Sequence, residues 1–462
     1  MGTTAQITAV QRGRLQRRVT GTVVLPSDGG YADATQTWDL AAGSRPPAVL
    51  MAASAADIAA GARWAAENDL DIAMVNTGHG ALDDNAGALV INTSRVNTVT
   101  VDPAARRAIA GPGTSWANVA AATVPHGLAG LAGASPGVGV IGYTLGGGLS
   151  PIGRTFGFAS DRVTRMTVLD AGYRPVQVDA RDGELFWALR GGGGLGIVTE
   201  LEFGLVELST LFGGGVYFDG ADAQPVLQAY AQWVAGLDER TSTSLALIHL
   251  PAIPQLPDML RGRFVAHLRI AHIDPRSADL EADGRRILAP MLASGATIND
   301  YTAVMGAAGL PGIHRDPVAP QSVAYRGGFL DTLDATAIAQ IVGCIEAGDG
   351  PRMVELRHLG GAYAHTPAAP AAPSCVTGRD AHFNLYTTTA VTGANAAQAH
   401  ALVDGVVRRI TGADRGQFNF YGPAPEPGSI LRLWDFADAD RLVLASKTLD
   451  PDRRIRTGRP LR

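Results

Sequence analysis

Cysteine is almost missing from this chain: Cys344 and Cys375 are the only two in 462 residues. Two thiols cannot build a disulfide framework, a thiolate-held iron–sulfur cluster or a cysteine-built zinc site, so any cofactor must be held another way. Long apolar runs are missing too. No stretch reaches the roughly eighteen uninterrupted apolar residues of a membrane-spanning helix. Arg12, Arg14, Arg17 and Arg18 near the N-terminus are followed by no apolar segment, so no secretory leader can be drawn and a cytoplasmic protein without a membrane partner is expected. A surplus of one charge is also lacking. The net charge of -5 comes from interspersed signs, which argues against nucleic acid as a partner. The last arginines (Arg453, Arg454, Arg456, Arg459 and Arg462) read as a solvated tail. No metal site is expected.

What is present is an ordinary apolar content, 46% hydrophobic against 18% charged, on a chain longer than one common domain. PAVLMAAS reads as a strand, DIAAGARWAAENDL as a helix and DIAMVNTGHG as a strand entering a glycine turn. Short strand candidates follow in ALVINTS, VNTVTVDP and RRAIAGPG, then a helix in SWANVAAATVPHG. The region from Ala132 to Gly157 is dense in glycine and reads mostly as turns. After Ser209 strands (GGGVYFDG, SLALIHLP, GRFVAHLRIAH) alternate with amphipathic helices, which places a domain boundary there. TPAAPAAPSCVTG reads as a surface loop or linker.

Three glycine clusters carry the chemical signal. In Asn76-Thr77-Gly78-His79-Gly80 the glycines bare backbone N–H groups at the end of an apolar strand, a turn able to cradle an anionic phosphate chain. The second cluster, Gly133 to Gly148, holds its glycines among Val138, Val140, Ile141 and Leu145, unlike a flexible linker. Something flat or anionic must approach that backbone. The third, Arg190-Gly191-Gly192-Gly193-Gly194-Leu195-Gly196, follows an apparent helix and precedes a strand. A Rossmann fingerprint needs the opposite order, so nicotinamide binding of that type is rejected. Phe186 and Trp187 read as core.

These segments resemble the FAD-linked oxidases of the vanillyl-alcohol oxidase superfamily, and most closely their berberine-bridge-enzyme and 6-hydroxynicotine-oxidase group. NTGHG is similar to that family's flavin-linking turn, SPGVGVIGYTLGGGLSPIGRTFG to its second flavin loop and DGELFWALRGGGGLGIVTELEF to its next segment. LRHLGGAYAHTP and GRDAHFNLYTT resemble its substrate domain, and QFNFYGP with KTLDPDRRI its closing segment. The likeness runs from about Pro46 to Arg454. It implies an α+β fold: a two-subdomain FAD-binding domain of the PCMH type (1–208), a substrate domain whose antiparallel sheet is flanked by helices (209–410), and a segment returning to the FAD domain (411–462).

The resemblance implies FAD as cofactor, joined covalently through His79. It sets against the flavin Asn76, Thr77, Gly78, Gly80 and Ala81 of the first turn, and Ser135, Pro136, Val138, Gly139, Gly142, Tyr143, Thr144, Gly146 and Gly147 of the second loop. Gly196, Ile197 and Val198 of the third segment and Asn419 and Tyr421 of the closing one complete the set. Ser135 stands where family members with a second tether have cysteine, so one covalent bond is implied. The first turn departs from the arginine and several glycines of many members. Histidine suits the linkage because it is largely neutral near pH 7. The implied reaction is hydride removal from the alcohol or amine carbon of a small secondary-metabolite-type substrate, with molecular oxygen as second partner. The modest side chain of Val138 leaves room for oxygen and favours an oxidase, giving hydrogen peroxide. Tyr421 and Tyr325 are the candidate catalytic residues, and His249, His267, His358 and His382 lie on apparent strands of the substrate domain. Two other readings stay open: a flavin-retaining binding or cyclisation chamber without net redox turnover, and a dehydrogenase using another acceptor.

Overall fold

The computed structural model of the protein describes residues 7–42, 45–80, 85–366, 372–412, 414–423 and 428–456. Ala81, Arg459 and Arg462 lie outside the described residues.

The first sheet takes the strands in the order Thr22–Val24, Ala48–Met51, Ala88–Asn92, Asp71–Val75 and Ile455–Arg456, with the last four mutually parallel. Parallel strands covered on both faces need apolar residues at every position. Ala48–Met51 meets that demand: Leu50 packs with Ile58 and Trp64 of the helix Ala55–Glu67, while Val49 packs with Val90 and Ala73 on the other face. Ser54 caps that helix by accepting from the Asp57 N–H at 3.1 Å. The strand Asp71–Val75, which follows this helix, ends in the turn that carries His79.

A second, antiparallel sheet orders Val99–Asp102, Arg107–Ala110, Val198–Gly204, Val163–Leu169 and Pro175–Asp179. The glycine-dense stretch between the two sheets is more regular than its composition suggests. It contains the helix Val140–Leu145, because Val140, Ile141 and Leu145 are buried in the core under the second sheet.

The third sheet is larger and antiparallel, ordered Thr297–Asp300, Leu211–Asp219, Phe264–His272, Thr241–His249, Met353–His358, Phe383–Ala390 and Val323–Leu330, with Ala303–Met305 pairing at its edge. Side chains alternate between faces along each strand. Phe212, Val216, Leu245, Leu268, Leu356 and Leu385 point to one face and meet the helices Ala223–Val234, Leu280–Leu292, Ala335–Glu346 and Ala396–Thr411. The other face is polar. Tyr217, His267, Ala246, Glu355 and Tyr386 lie in register across it, and Arg269, Ser244, Arg357 and Asn384 form the next row. This polar face looks toward the segment after the second glycine cluster. Arg154, on the short helix Gly153–Phe156, bonds the carbonyls of Thr241 (2.8 Å), Leu237 and Asp238 (both 3.1 Å), and that of Leu359.

The α+β class and the antiparallel sheet flanked by helices are both as expected from the sequence. Two expectations are corrected. Among the described C-terminal arginines Arg453 is exposed, but Arg454 and Arg456 are no free tail: Arg454 pairs with Asp69 at 3.0 Å and Arg456 with Asp71 at 2.6 Å, beside the strand Ile455–Arg456. The proline-rich stretch is no surface loop throughout either. Cys375 is buried in the second-sheet core, and the buried Arg190 captures the carbonyls of Ala372 and Pro373. Phe186 and Trp187 are core residues, as expected. Among the described residues no helix is long and apolar enough to cross a membrane.

Candidate active site

His79 sits at the seam between the first sheet and the second glycine loop. Gly78 adopts φ +74°, and a side chain there would strike Thr37, so the turn that presents His79 depends on glycine. The imidazole Nδ1 is hydrogen-bonded to Thr77 Oγ1 at 3.0 Å, and the ring stacks on Trp38. Its Nε2 is buried and has no partner among the described residues. Burial pulls the imidazole pKa down to about 4, so the ring is neutral near pH 7.

The second loop faces this turn. Gly137 lies beside the His79 ring, and Gly139 lies beside the Asn76 amide, which donates to the Thr114 carbonyl at 3.3 Å. Ser135 and Pro136 form the turn before Val138: their carbonyls accept from the N–H groups of Val138 and Ala117. Val138 is half-buried against the second-sheet core. Gly80 and Gly142 are exposed, with open space where a side chain would project. The Tyr143 hydroxyl and the Thr144 Oγ1 are buried without partners among the described residues.

The closing segment 417–421 threads between this loop and the large sheet. Asn419 donates its amide to the Tyr143 carbonyl at 2.8 Å, and its side chain occupies the space that a Cβ on Gly146 would need. Gln417 donates to the Gly146 carbonyl and lies beside Gly147. Phe420 meets Tyr386 edge-on at 5.1 Å and lies under Arg357 at 4.8 Å. Tyr421 points elsewhere: its hydroxyl donates to Asp414 at 2.8 Å, and Arg326 covers its ring at 3.5 Å. Tyr325 is on the polar face of the sheet, its ring 6.0 Å from that of Tyr386. In the third cluster Leu449 packs against Gly196, and Ile197 and Val198 bury their side chains in two cores. Only backbone there can face a ligand.

The histidines separate by environment. His249 bonds the Ile345 carbonyl and stacks on Phe264, and His382 is exposed just before its strand. His267 is held between Arg269 Nε at 2.9 Å and the Tyr301 hydroxyl at 2.7 Å. His358 meets Arg154 at 3.0 Å. His314, which sequence reasoning passed over, is buried on a loop with Nε2 3.7 Å from Glu355 and 3.4 Å from Ser244 Oγ. Its Nδ1 has no partner among the described residues. Glu355 is the centre of this group. Burial alone would raise its pKa, but Arg357 and Arg269, both within 3.0 Å, hold it down to about 2. A small cavity of ≈ 30 Å³ lies among Arg269, Arg357, His314, Ser244, Ser150 and Tyr363.

The first two glycine segments fit a flavin nucleotide. They combine an open backbone cradle, buried polar atoms on His79, Tyr143 and Thr144 without partners among the described residues, and a polar sheet face opposite. Residues 46–175 match the family described as the FAD binding domain. The chain is 33% identical over 194 residues to (R)-6-hydroxynicotine oxidase of Paenarthrobacter nicotinovorans, covering 41% of this chain and 42% of that one. It is 29% identical over 240 residues to an uncharacterized FAD-linked oxidoreductase of Bacillus subtilis (strain 168), covering 50% and 53%. The chain thus spans about half the length of these relatives. Across nearly its whole length it superimposes on 6-hydroxy-D-nicotine oxidase from Arthrobacter nicotinovorans, with TM-score 0.80, 21% identity and coverage of 95% and 97%.

Proposed function

We propose, for a chain that carries an FAD binding domain and is related to FAD-linked oxidoreductases, that the protein is an FAD-dependent oxidase of small molecules. It removes a hydride from an alcohol or amine carbon, passes the electrons to molecular oxygen and releases hydrogen peroxide. His79 tethers the FAD covalently. One observation carries this reading: a neutral imidazole whose Nδ1 is fixed by Thr77 and whose buried Nε2 has no partner among the described residues, beside an open glycine loop. Nε2 is then the nitrogen left to bond a ligand.

When bound, the flavin supplies the electron-accepting centre, and the protein supplies orientation and electrostatics. Asn76 and Asn419 brace the two backbone segments that flank the cradle, through the Thr114 and Tyr143 carbonyls. The half-buried Val138 gives oxygen a path past a small side chain. Tyr325 and Tyr386 present hydroxyls to the substrate side. Tyr421, engaged by Asp414 and Arg326, positions the closing segment. The test is to purify the protein, record its visible spectrum, and measure peroxide formation on small alcohols and amines in air. A flavin spectrum with peroxide release supports an oxidase. Flavin reduction without peroxide would make it a dehydrogenase.

A further inference from the structure

Two arginines on the polar face of the large sheet, Arg269 and Arg357, line the cavity. Arg269 and Arg357 share a single carboxylate, Glu355, and are 3% and 14% exposed. Asp316, whose carboxyl burial pushes up, is a second carboxyl that faces these two arginines, while Arg315, stacked 3.4 Å over the Tyr301 ring, is exposed. His267 and His314 add no charge, because burial and the arginines push both imidazoles well below their ordinary value.

The spare donors can be named. Arg269 uses Nε on His267 and Nη1 on Glu355, and Arg357 uses Nε and Nη2 on Glu355. The hydrogen bonds and ion pairs of the two arginines leave Arg269 Nη2 and Arg357 Nη1 without an acceptor among the described residues, and both arginines line the cavity. The contrast with Arg154 is informative: its donors all end on carbonyls or on His358.

We propose that this cavity is a carboxylate subsite gripped by Arg269 and Arg357, so that the substrate is a small hydroxy or amino compound bearing a carboxylate. Planar guanidinium forks match carboxylate geometry better than any other cation in proteins. His314 lines the same wall, and its buried Nδ1 has no partner among the described residues. A volume of ≈ 30 Å³ suits a head group, with the rest of the molecule lying outside it. The inference rests on the oxidase reading only for the word substrate; anion binding stands apart from it.

The test is calorimetric titration of the purified holoprotein with glycolate and with glycolamide, at ionic strength held constant with sodium chloride. Glycolate should bind at least about tenfold more tightly than its neutral amide, the order expected for a charge-assisted hydrogen-bond pair. Arg357→Gln should erase that preference. Glu355→Gln, which removes the competing carboxylate, should bind glycolate more tightly than the wild type and gain more in Tm from it. Equal binding of glycolate and glycolamide, or an unchanged preference in Arg357→Gln, would overturn the proposal. If Arg357→Gln does not fold, weaker glycolate binding by Glu355→Gln overturns it instead. Calorimetry needs no turnover, so a failed oxidase assay leaves this result standing on its own.

Discussion

The imidazole of His79 lies flat against the indole of Trp38, ring centroids 4.4 Å apart and planes 13° from parallel. Trp38 also donates its backbone N–H to the Thr77 carbonyl at 2.9 Å, so one residue secures both the side chain and the backbone of the turn. With Nδ1 held by Thr77, the ring keeps one orientation and leaves Nε2 for a ligand.

Trp38→Ala should therefore slow flavin linkage without emptying the FAD site. A stacked aromatic pair is worth about 0.5–1.5 kcal/mol, which corresponds to linkage roughly two- to tenfold slower. Apoprotein mixed with FAD and quenched in acid over time reports the linked fraction. An unchanged rate would remove Trp38 from this role.

Glu355→Gln strands two buried guanidiniums and should cost about 3–5 kcal/mol at neutral pH, read by urea denaturation. The pH dependence has a definite sign. The folded carboxyl lies at about 2 against an ordinary 4.5, so its contribution is fully present above 4.5 and is lost as pH falls toward 2. The gap between wild type and variant should close over that window.

His79 and His358 titrate in the opposite chemical sense but push stability the same way. Burial, aided by Arg154 for His358, lowers them to about 4 and about 3 from 6.5. Below pH 6.5 the unfolded chain binds protons that the folded one refuses, so stability falls with pH. In His358→Gln the slope of unfolding free energy against pH, measured near pH 5, should drop by about one proton. An unchanged slope would contradict the burial of that imidazole.

Local pattern made much of this molecule legible. Ala48–Met51 reads as a buried strand because every position is apolar, and the turn at His79 reads as a ligand turn because its glycines follow such a strand. The polar face of the large sheet was harder. Glu355 and Arg357 alternate with Val354 and Leu356 at the ordinary strand period, so sequence marks two faces without saying which meets the flavin domain. That depends on where four helices pack. His314 sits on a loop with no period at all, and its partners come from two distant strands. Arg456 pairs across 385 positions with Asp71, and Cys375 is buried against the Ala188 carbonyl 187 positions away, so neither could be read from neighbours in the chain.

The central claim, that His79 holds FAD covalently, is tested most directly by acid denaturation of wild-type protein and His79→Ala, followed by in-gel flavin fluorescence and intact mass. The wild-type chain should keep both the fluorescence and the added mass of one FAD, and His79→Ala should lose both while still binding FAD before denaturation. Flavin released quantitatively from the wild type, or retained by His79→Ala, would contradict it.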